Sequence, residues 1–121
     1  MRVLVGTDCE EIERWIGLNG DDLEDPRFPL FSKAEHAYCS MQAEPAQHYA
    51  VRWCAKEAVR KALAPVVTVD LRRVEVQRSE NGVPSASIAD LDLNALGISL
   101  SLSMSHSEYT AIASVVAVLS G

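Results

Sequence analysis

The sequence predicts an α+β fold in which helices pack on a mainly antiparallel sheet. Apolar residues recur at helical spacing in the first half of the chain, whereas strand-like alternation dominates the second half. The chain has 121 residues, enough for one hydrophobic core, and neither a repeat nor a linker divides it. We therefore expect a single domain over residues 1–121, with three helices on one sheet.

The first half begins with a strand and continues with helices. Residues 2–7 alternate between apolar and other side chains, which predicts a strand that opens into a loop or helix at Asp8. Apolar residues at helical spacing predict a helix over Glu10–Leu18. Ser32 and Glu35 form a capping-box pattern that begins a second helix, and a long third helix is predicted over 46–63.

The second half is predicted to be rich in strands. The predicted strands cover residues 73–78, 83–88, 98–106 and 109–119, and a short helix is predicted over 90–96. Asn81-Gly82 is typical of a type I′ hairpin turn between the first two of these strands. The strand 109–119 is apolar on both faces, which predicts a central position in the sheet.

Composition excludes several classes of protein. The net charge of −6 argues against general nucleic-acid binding. No apolar run reaches the ~18 residues that a membrane-spanning helix needs, so we expect no membrane association. The cysteines, Cys9, Cys39 and Cys54, lack metal-site or C-x-x-C spacing, so we expect reduced thiols and a cytoplasmic location.

Charge is unevenly distributed along the chain. Residues 52–61 contain four of the 11 basic residues and one acid, Glu57, whereas acids cluster at Asp21, Asp22, Glu24 and Asp25. This pattern predicts a local basic spot on an acidic protein, and such a spot can bind a small polyanion.

The predicted long helix is the most informative segment. On a helical projection, one apolar arc is formed by Val51, Cys54, Ala55, Ala58, Val59 and Ala62. Arg52, Lys56 and Arg60 lie roughly opposite this arc, and Trp53, Glu57 and Lys61 follow its boundary. A carboxylate there, one turn from an ammonium, can hold a cation or move a proton near a phosphate. The same pattern also fits an amphipathic helix whose charged residues only form solvated pairs.

Five separated segments resemble, in order, the motifs of the holo-acyl-carrier-protein synthases, which are small phosphopantetheinyl transferases. These segments are Val5-Gly6-Thr7-Asp8, Phe31–Cys39, Arg52–Leu63, Asn81-Gly82-Val83-Pro84 and Ser103–Tyr109. The resemblance covers nearly the whole chain. It implies the phosphopantetheinyl-transferase fold and transfer of 4′-phosphopantetheine from coenzyme A to a serine of an apo acyl carrier protein of fatty-acid or polyketide synthesis.

The resemblance also implies the roles of the site residues. Asp8 and Glu57 correspond to the Mg²⁺ ligands, and Lys61 corresponds to a phosphate-contacting lysine, so these three are the candidate catalytic residues. The base is either Glu57 or a metal-bound water. From the residues alone, Asp8 could instead cap a helix. The resemblance further implies a homotrimer that binds coenzyme A between its subunits.

Further residues are implied to bind coenzyme A or the carrier. The candidate coenzyme A ligands are Arg52, Lys56, Lys61, Asn81, Gly82, Pro84, Ser105 and His106. The candidate carrier contacts are Arg14 and Arg27, with Leu18 as an apolar anchor. The acids at 21–25 replace cations that the family usually has there, which predicts a less acidic carrier. The alternative function is a catalytically silent coenzyme A- or nucleotide-binding subunit on the same fold.

Overall fold

The computed structural model describes residues 1–120 and confirms an α+β fold. Its elements are β1 (Arg2–Glu11), α1 (Lys33–Ser40), α2 (Pro45–Leu63), β2 (Val74–Arg78), β3 (Pro84–Ile88), β4 (Ile98–His106) and β5 (Thr110–Leu119). An antiparallel sheet has the strand order β1-β5-β4, and β2 and β3 form a separate antiparallel hairpin. Gly121, which the expected domain included, lies outside the described residues.

Helix α2 packs across the inner face of the three-stranded sheet. Ala58 and Ala62 are fully buried there, and Gly6 of β1 lies directly beneath them. A Cβ atom at Gly6 would lie 2.1 Å from the Ala58 carbonyl oxygen and 2.7 Å from the Ala62 nitrogen. Glycine is therefore required for this close approach, which brings the next residues of β1 against the last turns of α2.

The predicted helix over Glu10–Leu18 is wrong. Strand β1 continues to Glu11 because Glu10 and Glu11 pair with Ala111 and Thr110 of β5. Only one 3-10 turn follows, at Ile12–Trp15. Pairing with a central strand thus outweighs the helical spacing of the apolar residues. Asp8 consequently lies inside a strand, so it caps no helix.

The predictions for α1, α2 and β5 are confirmed. Ser32 accepts a hydrogen bond from the Glu35 backbone N–H, and the Glu35 side chain accepts one from the Ser32 N–H, which forms the expected capping box. Helix α2 begins at Pro45, a favourable first-turn residue, and ends at Leu63. Strand β5 lies between β1 and β4, as its apolar sequence predicted.

Two local predictions in the second half need correction. The β2–β3 hairpin forms, but its turn is not type I′. A type I′ turn needs positive φ at both central residues, and here Gly82 has one, at +82°, whereas Asn81 does not. The Gly82 N–H donates to the Ser79 carbonyl, and the Ser79 N–H donates to the Val83 carbonyl, as in a three-residue loop with a glycine bulge. Residues 90–96 form hydrogen-bonded turns instead of a helix.

The outer face of the three-stranded sheet is exposed in the single chain. Side chains on this face are Val3, Val5, Ile112 and Val116, together with the serines of β4. Thr7 and Ser114 are opposite each other there and share a hydrogen bond of 3.2 Å. Within residues 1–120, no helix is both long and apolar enough to cross a lipid bilayer.

Candidate active site

Asp8 and Lys61 form an ion pair where β1 meets the last turns of α2. The Lys61 ammonium donates to Asp8 Oδ1 at 3.0 Å and to the Thr7 carbonyl oxygen at 3.0 Å. Asp8 points toward α2 because alternate residues of β1 face the helix. The Asp8 side chain is 19% exposed, so the pair lies at an edge that solvent and ligands can reach.

Glu57 lies one turn before Lys61 on α2 and joins the same edge. Its Oε2 accepts a bond of 2.6 Å from Arg60, and its side chain is 16% exposed. Burial raises the pKa of the neighbouring Cys54 thiol to about 12, and the charges of Asp8 and Glu57 add to that rise. Glu57 thus supplies a second carboxylate on the α2 side of this edge, one helical turn from the lysine that binds Asp8.

Lys56 is buried and cannot contact a phosphate in this fold. It is 0% exposed, and its ammonium donates to Glu35 Oε1 at 2.7 Å and to the Val74 carbonyl oxygen. Burial lowers the pKa of Lys56, while the Glu35 carboxylate opposes that shift. Its expected role as a coenzyme A ligand is therefore corrected to a structural one, which joins α1, α2 and β2.

Arg52 is also buried, but it remains a candidate ligand for an anion. It is 2% exposed, and its guanidinium carbon lies 4.2 Å from the centre of the Tyr38 ring. The buried Arg52 Nε has no hydrogen-bond acceptor within residues 1–120. His106 lies close by, since its ring centre is 6.5 Å from that of His48, one turn before Arg52.

The other candidate coenzyme A ligands lie on the β2–β3 hairpin or at the end of β4, and all are exposed except Pro84, which is half-buried. Asn81 and Gly82 form the hairpin turn, and Arg78 donates to the Gly82 carbonyl at 2.8 Å. Pro84 begins β3 just beyond this turn. Ser105 lies on the exposed face of β4, next to His106. Their contacts with coenzyme A stay predictions.

The candidate carrier contacts are already engaged within the chain. Leu18 is 3% exposed, so it is part of the core and is not a surface anchor, whereas Ile16 is 67% exposed. Arg27 binds Asp25 and donates to the Arg14 and Ile16 carbonyl oxygens, which closes the intervening loop. The Arg27 guanidinium lowers the pKa of Asp25 to about 2.

Arg14 is the most exposed of the candidate carrier contacts. It pairs with Glu10 at 2.8 Å, and its side chain is 68% exposed. Glu10 is an acid of the site edge that sequence reasoning missed. Its spacing of two residues from Asp8 would have placed both on one face, had the strand been extended beyond residue 8.

Sequence reasoning also missed three residues that support the site. Glu35 was interpreted only as a capping residue, but its carboxylate also holds Lys56 and accepts the Val76 N–H at 2.9 Å. Tyr38 and His48 line the Arg52 side chain. Their spacing in the sequence does not reveal this, because α1 and α2 approach each other only in the fold.

Comparisons with known proteins agree with this architecture. The family model of the 4′-phosphopantetheinyl transferase superfamily matches residues 4–114, which include both carboxylates and both lysines described above. The chain belongs to this superfamily. Within it, the holo-[acyl-carrier-protein] synthase of Chlamydia muridarum is 34% identical over 122 residues, covering 92% of this chain and 94% of that protein.

Solved structures of the superfamily have the same fold. The holo-[acyl-carrier-protein] synthase of Neisseria meningitidis has a TM-score of 0.76 at 29% identity, covering 94% of this chain and 96% of its own. A structure of the Chronobacterium ammoniagenes ACPS–CoA complex has a TM-score of 0.79 at 23% identity and covers all of both chains. At that identity, the second likeness shows the fold alone.

Proposed function

We propose that this chain is a holo-[acyl-carrier-protein] synthase, which transfers 4′-phosphopantetheine from coenzyme A to a serine of an apo acyl carrier protein. Relatives of this name match it over most of its length. The observation that carries the proposal is the ion pair of 3.0 Å between Asp8 and Lys61 at the site edge, with Glu57 one helical turn before Lys61 on α2. The serine hydroxyl loses its proton to a base at this edge, its oxygen bonds to the pantetheine phosphorus, the pyrophosphate P–O bond breaks, and adenosine 3′,5′-bisphosphate leaves.

Lys61 is the residue that stabilises the phosphates in this proposal. Its ammonium donates to Asp8 and to the Thr7 carbonyl oxygen, so it already lies at the site edge. The side chain is 48% exposed and can turn toward a phosphate oxygen that arrives there. A positioned cation lowers the barrier most where negative charge accumulates during the reaction.

The two carboxylates fit a magnesium ion. Their ion pairs involve Asp8 Oδ1 and Glu57 Oε2, and the described residues offer no cluster of three or more acidic, histidine or cysteine ligands. A site with two carboxylates suits Mg²⁺, which binds few protein ligands and completes its shell with water and substrate phosphates. Bound there, Mg²⁺ would neutralise the pyrophosphate. Asp8 and Glu57 would hold it, and Lys61 would contact the phosphates.

The nucleotide end of coenzyme A is proposed to bind near Arg52 and His106. The buried Arg52 Nε–H has no acceptor among residues 1–120, and His106 is exposed at the end of β4. The hairpin turn at 81–82, with Pro84 and Ser105, would border the nucleotide. An exposed outer sheet face lies alongside, and we propose that it packs in a homotrimer with coenzyme A between subunits.

The trimer has a direct test. Exposed valine and isoleucine side chains on β1 and β5 would be covered by neighbouring subunits, so we expect a threefold mass in sedimentation equilibrium at micromolar concentration. Val5→Lys should dissociate the assembly, because it would place an ammonium at a position that is 70% exposed in the single chain. A fully active monomeric wild type would contradict the proposal.

The acidic surface near the first 3-10 turn indicates a carrier that is less acidic than usual. The exposed Ile16 lines a groove of about 860 Å³ whose border carries Glu11, Glu13, Glu44 and Glu108. Like charges across an interface slow association. Transfer to a strongly acidic carrier should therefore accelerate with added salt, and Asp21→Lys/Asp22→Lys should remove that acceleration. A rate that falls steeply with salt, and is not improved by the charge reversal, would contradict this preference.

The compartment is proposed to be the cytoplasm. Cys39 and Cys54 are buried free thiols, and Cys9 is an exposed one, which is usual where thiols are kept reduced.

Intact mass of an apo carrier protein tests the transfer itself. After incubation with coenzyme A and Mg²⁺, we expect the carrier to gain one phosphopantetheine, whereas Asp8→Asn should produce no gain although it folds. Coenzyme A binding without transfer by the wild type, over several carriers, would instead favour the silent binding subunit. That subunit would need the cations of the site but not both carboxylates.

A further inference from the structure

An ion pair between Arg14 and Glu10 lies beside the proposed active-site edge. Strand β1 ends at Glu11, and the 3-10 turn at Ile12–Trp15 returns the chain so that Arg14 reaches Glu10. The Arg14 guanidinium donates to Glu10 Oε1 at 2.8 Å, and no other carboxylate within residues 1–120 forms an ion pair with it. Glu10 and Asp8 lie on the same face of β1, about 7 Å apart along the strand.

Solvent reaches the two partners of this pair to very different extents. The Arg14 side chain is 68% exposed, whereas the Glu10 side chain is 9% exposed. The Glu10 carboxylate is therefore largely desolvated, and Arg14 is the cation that compensates it there. A desolvated carboxylate that loses its cation is destabilised, whereas an exposed guanidinium that changes partner stays solvated. The pair is thus maintained mainly by what Glu10 would lose if it were broken.

Few cations are available to an acidic partner on this part of the surface. Arg14 is the one basic residue over residues 4–26. Arg27, the next along the chain, is engaged by an acid of its own loop and by two backbone carbonyl oxygens. The neighbouring Glu11 and Glu13 are exposed acids. An acidic partner that approaches here therefore meets one exposed cation, and Glu10 already neutralises it.

A carrier protein has to cover this ion pair when its serine reaches the site edge. A stable protein interface buries about 800 Å² on each partner, which corresponds to a disc of about 16 Å radius. Glu10 lies only about 7 Å along β1 from Asp8, where the serine is proposed to react. Arg14, in direct contact with Glu10, consequently lies within the area that a docked carrier covers, whatever the orientation of the carrier.

We propose that Glu10 is a specificity residue that withholds Arg14 from acidic carriers, an inference that rests on the proposed function. A carrier carboxylate can bind Arg14 only if the arginine leaves Glu10, and the desolvated Glu10 carboxylate then loses its cation. A carrier that presents an uncharged or mixed-charge group at this point leaves the ion pair intact and avoids that cost. The preference for a less acidic carrier thus has one identifiable residue as a cause.

Direct binding of an unreactive carrier tests this role without any contribution from catalysis. A strongly acidic apo acyl carrier protein carries a fluorophore, and its acceptor serine is replaced by alanine. It is titrated with the wild-type protein and with Glu10→Gln, Arg14→Gln and the double variant. Fluorescence anisotropy at pH 7 and low ionic strength, with coenzyme A and Mg²⁺ present, gives the four dissociation constants. Thermal melting verifies that each variant is folded, as we expect because an amide at position 10 preserves the backbone pairing with Ala111.

We expect Glu10→Gln to bind the acidic carrier more tightly than the wild type, because it frees Arg14. The gain should be about two- to fivefold larger than the gain from the same change in Arg14→Gln, which is the size of one solvent-accessible ion pair. Added salt should reduce this difference. Glu13→Gln is the matched control, since it removes one charge from the same 3-10 turn and leaves the ion pair intact. Its effect should be equal with and without Arg14.

The outcomes separate this inference from the proposed function. Equal gains from Glu10→Gln with and without Arg14 overturn the role of Glu10 as a mask, because Glu10 then acts only through long-range repulsion, and the absence of any gain overturns it too. Both results leave the transferase proposal standing. If Glu10→Gln does not fold, Arg14→Gln decides, because a loss of affinity of more than about fivefold shows that Arg14 is already available in the wild type. A wild-type protein that modifies no apo carrier contradicts the proposed function, and this inference with it.

Discussion

The buried Lys56–Glu35 pair allows a quantitative test of what holds the site in place. Both side chains are 0% exposed, and their charged atoms are 2.7 Å apart. Lys56 also binds the Val74 carbonyl, and Glu35 accepts the backbone N–H groups of Ser32 and Val76 at 2.8 and 2.9 Å. One ion pair thus joins both helices to the hairpin that follows them.

Lys56→Met removes the ammonium and leaves the rest of the network buried. The Glu35 carboxylate then has no cation in a desolvated position, and the Val74 carbonyl loses its donor. Removing one partner of a buried pair costs about 3–5 kcal/mol of unfolding free energy. Glu35→Gln should cost a similar amount, since it leaves Lys56 charged and buried beside a neutral amide.

The double variant Glu35→Gln/Lys56→Met should be less damaging than the two single changes added together. It buries no unpaired charge, and it lacks an acceptor for one backbone N–H and a donor for the Val74 carbonyl. At about 1–3 kcal/mol for each unpaired group, the expected cost is about 2–6 kcal/mol, against about 6–10 for the sum of the single variants. The difference is the coupling energy of the buried pair.

Urea unfolding at pH 7, followed by circular dichroism, measures these free energies. Arg60→Met is the control, because it breaks an ion pair of the same helix whose arginine side chain is 48% exposed, and such pairs contribute about 0–1 kcal/mol. A Lys56→Met variant as stable as Arg60→Met would refute the reasoning. Strict additivity in the double variant would refute it as well.

Three further predictions concern the site edge and the acidic loop. Lys61→Ala should lower the transfer rate roughly ten- to a few-hundred-fold, because it loses a charge-assisted contact that contributes about 1.5–3 kcal/mol. Arg60→Ala should lower the rate much less. Equal losses for the two variants in single-turnover assays would contradict the role of Lys61 as the phosphate contact. Asp8→Asn and Glu57→Gln should each weaken Mg²⁺ binding, measured by calorimetry without substrate, and unchanged affinity would remove them as ligands. The pKa of Asp25 is about 2 in the folded protein, below its ordinary value of 3.8, so the contribution of Asp25 to stability is present above about pH 4 and is lost as the pH falls toward 2. The urea midpoint of Asp25→Asn should therefore fall less steeply with acid than that of the wild type. A parallel pH profile for the two proteins would contradict this prediction.

The parts of the fold that the sequence predicted are those with strong local determinants. The capping box at Ser32 and the long apolar arc of α2 specify helices by themselves. The serine alternation of β4 likewise specifies a strand with one exposed face. The wrong prediction over Glu10–Leu18 has a non-local cause, because the backbone of Glu10 pairs with Ala111, 101 residues later in the chain.

The candidate site was predictable as a set of residues but not as a set of contacts. The pairing of Asp8 with Lys61 depends on the glycine at position 6, which lets α2 approach β1 closely. The carrier contact expected at Leu18 failed because the turn after β1 directs that side chain into the core. A helical projection assigns residues to faces, but it does not reveal which faces meet another element.

Arg52 and Lys56 illustrate this limit and change how the site attracts phosphate. The projection placed both opposite the apolar arc, yet both are buried because α1 and β2 pack on that side while the sheet packs on the other. The basic spot expected over residues 52–61 is therefore not a basic surface. Its exposed cations, Arg60 and Lys61, are paired with carboxylates in the free protein. On the proposed function, a phosphate that binds at this edge takes the place of Asp8 as the partner of Lys61. The affinity of the edge for phosphate therefore depends on whether another cation binds the Asp8 carboxylate when Lys61 leaves it.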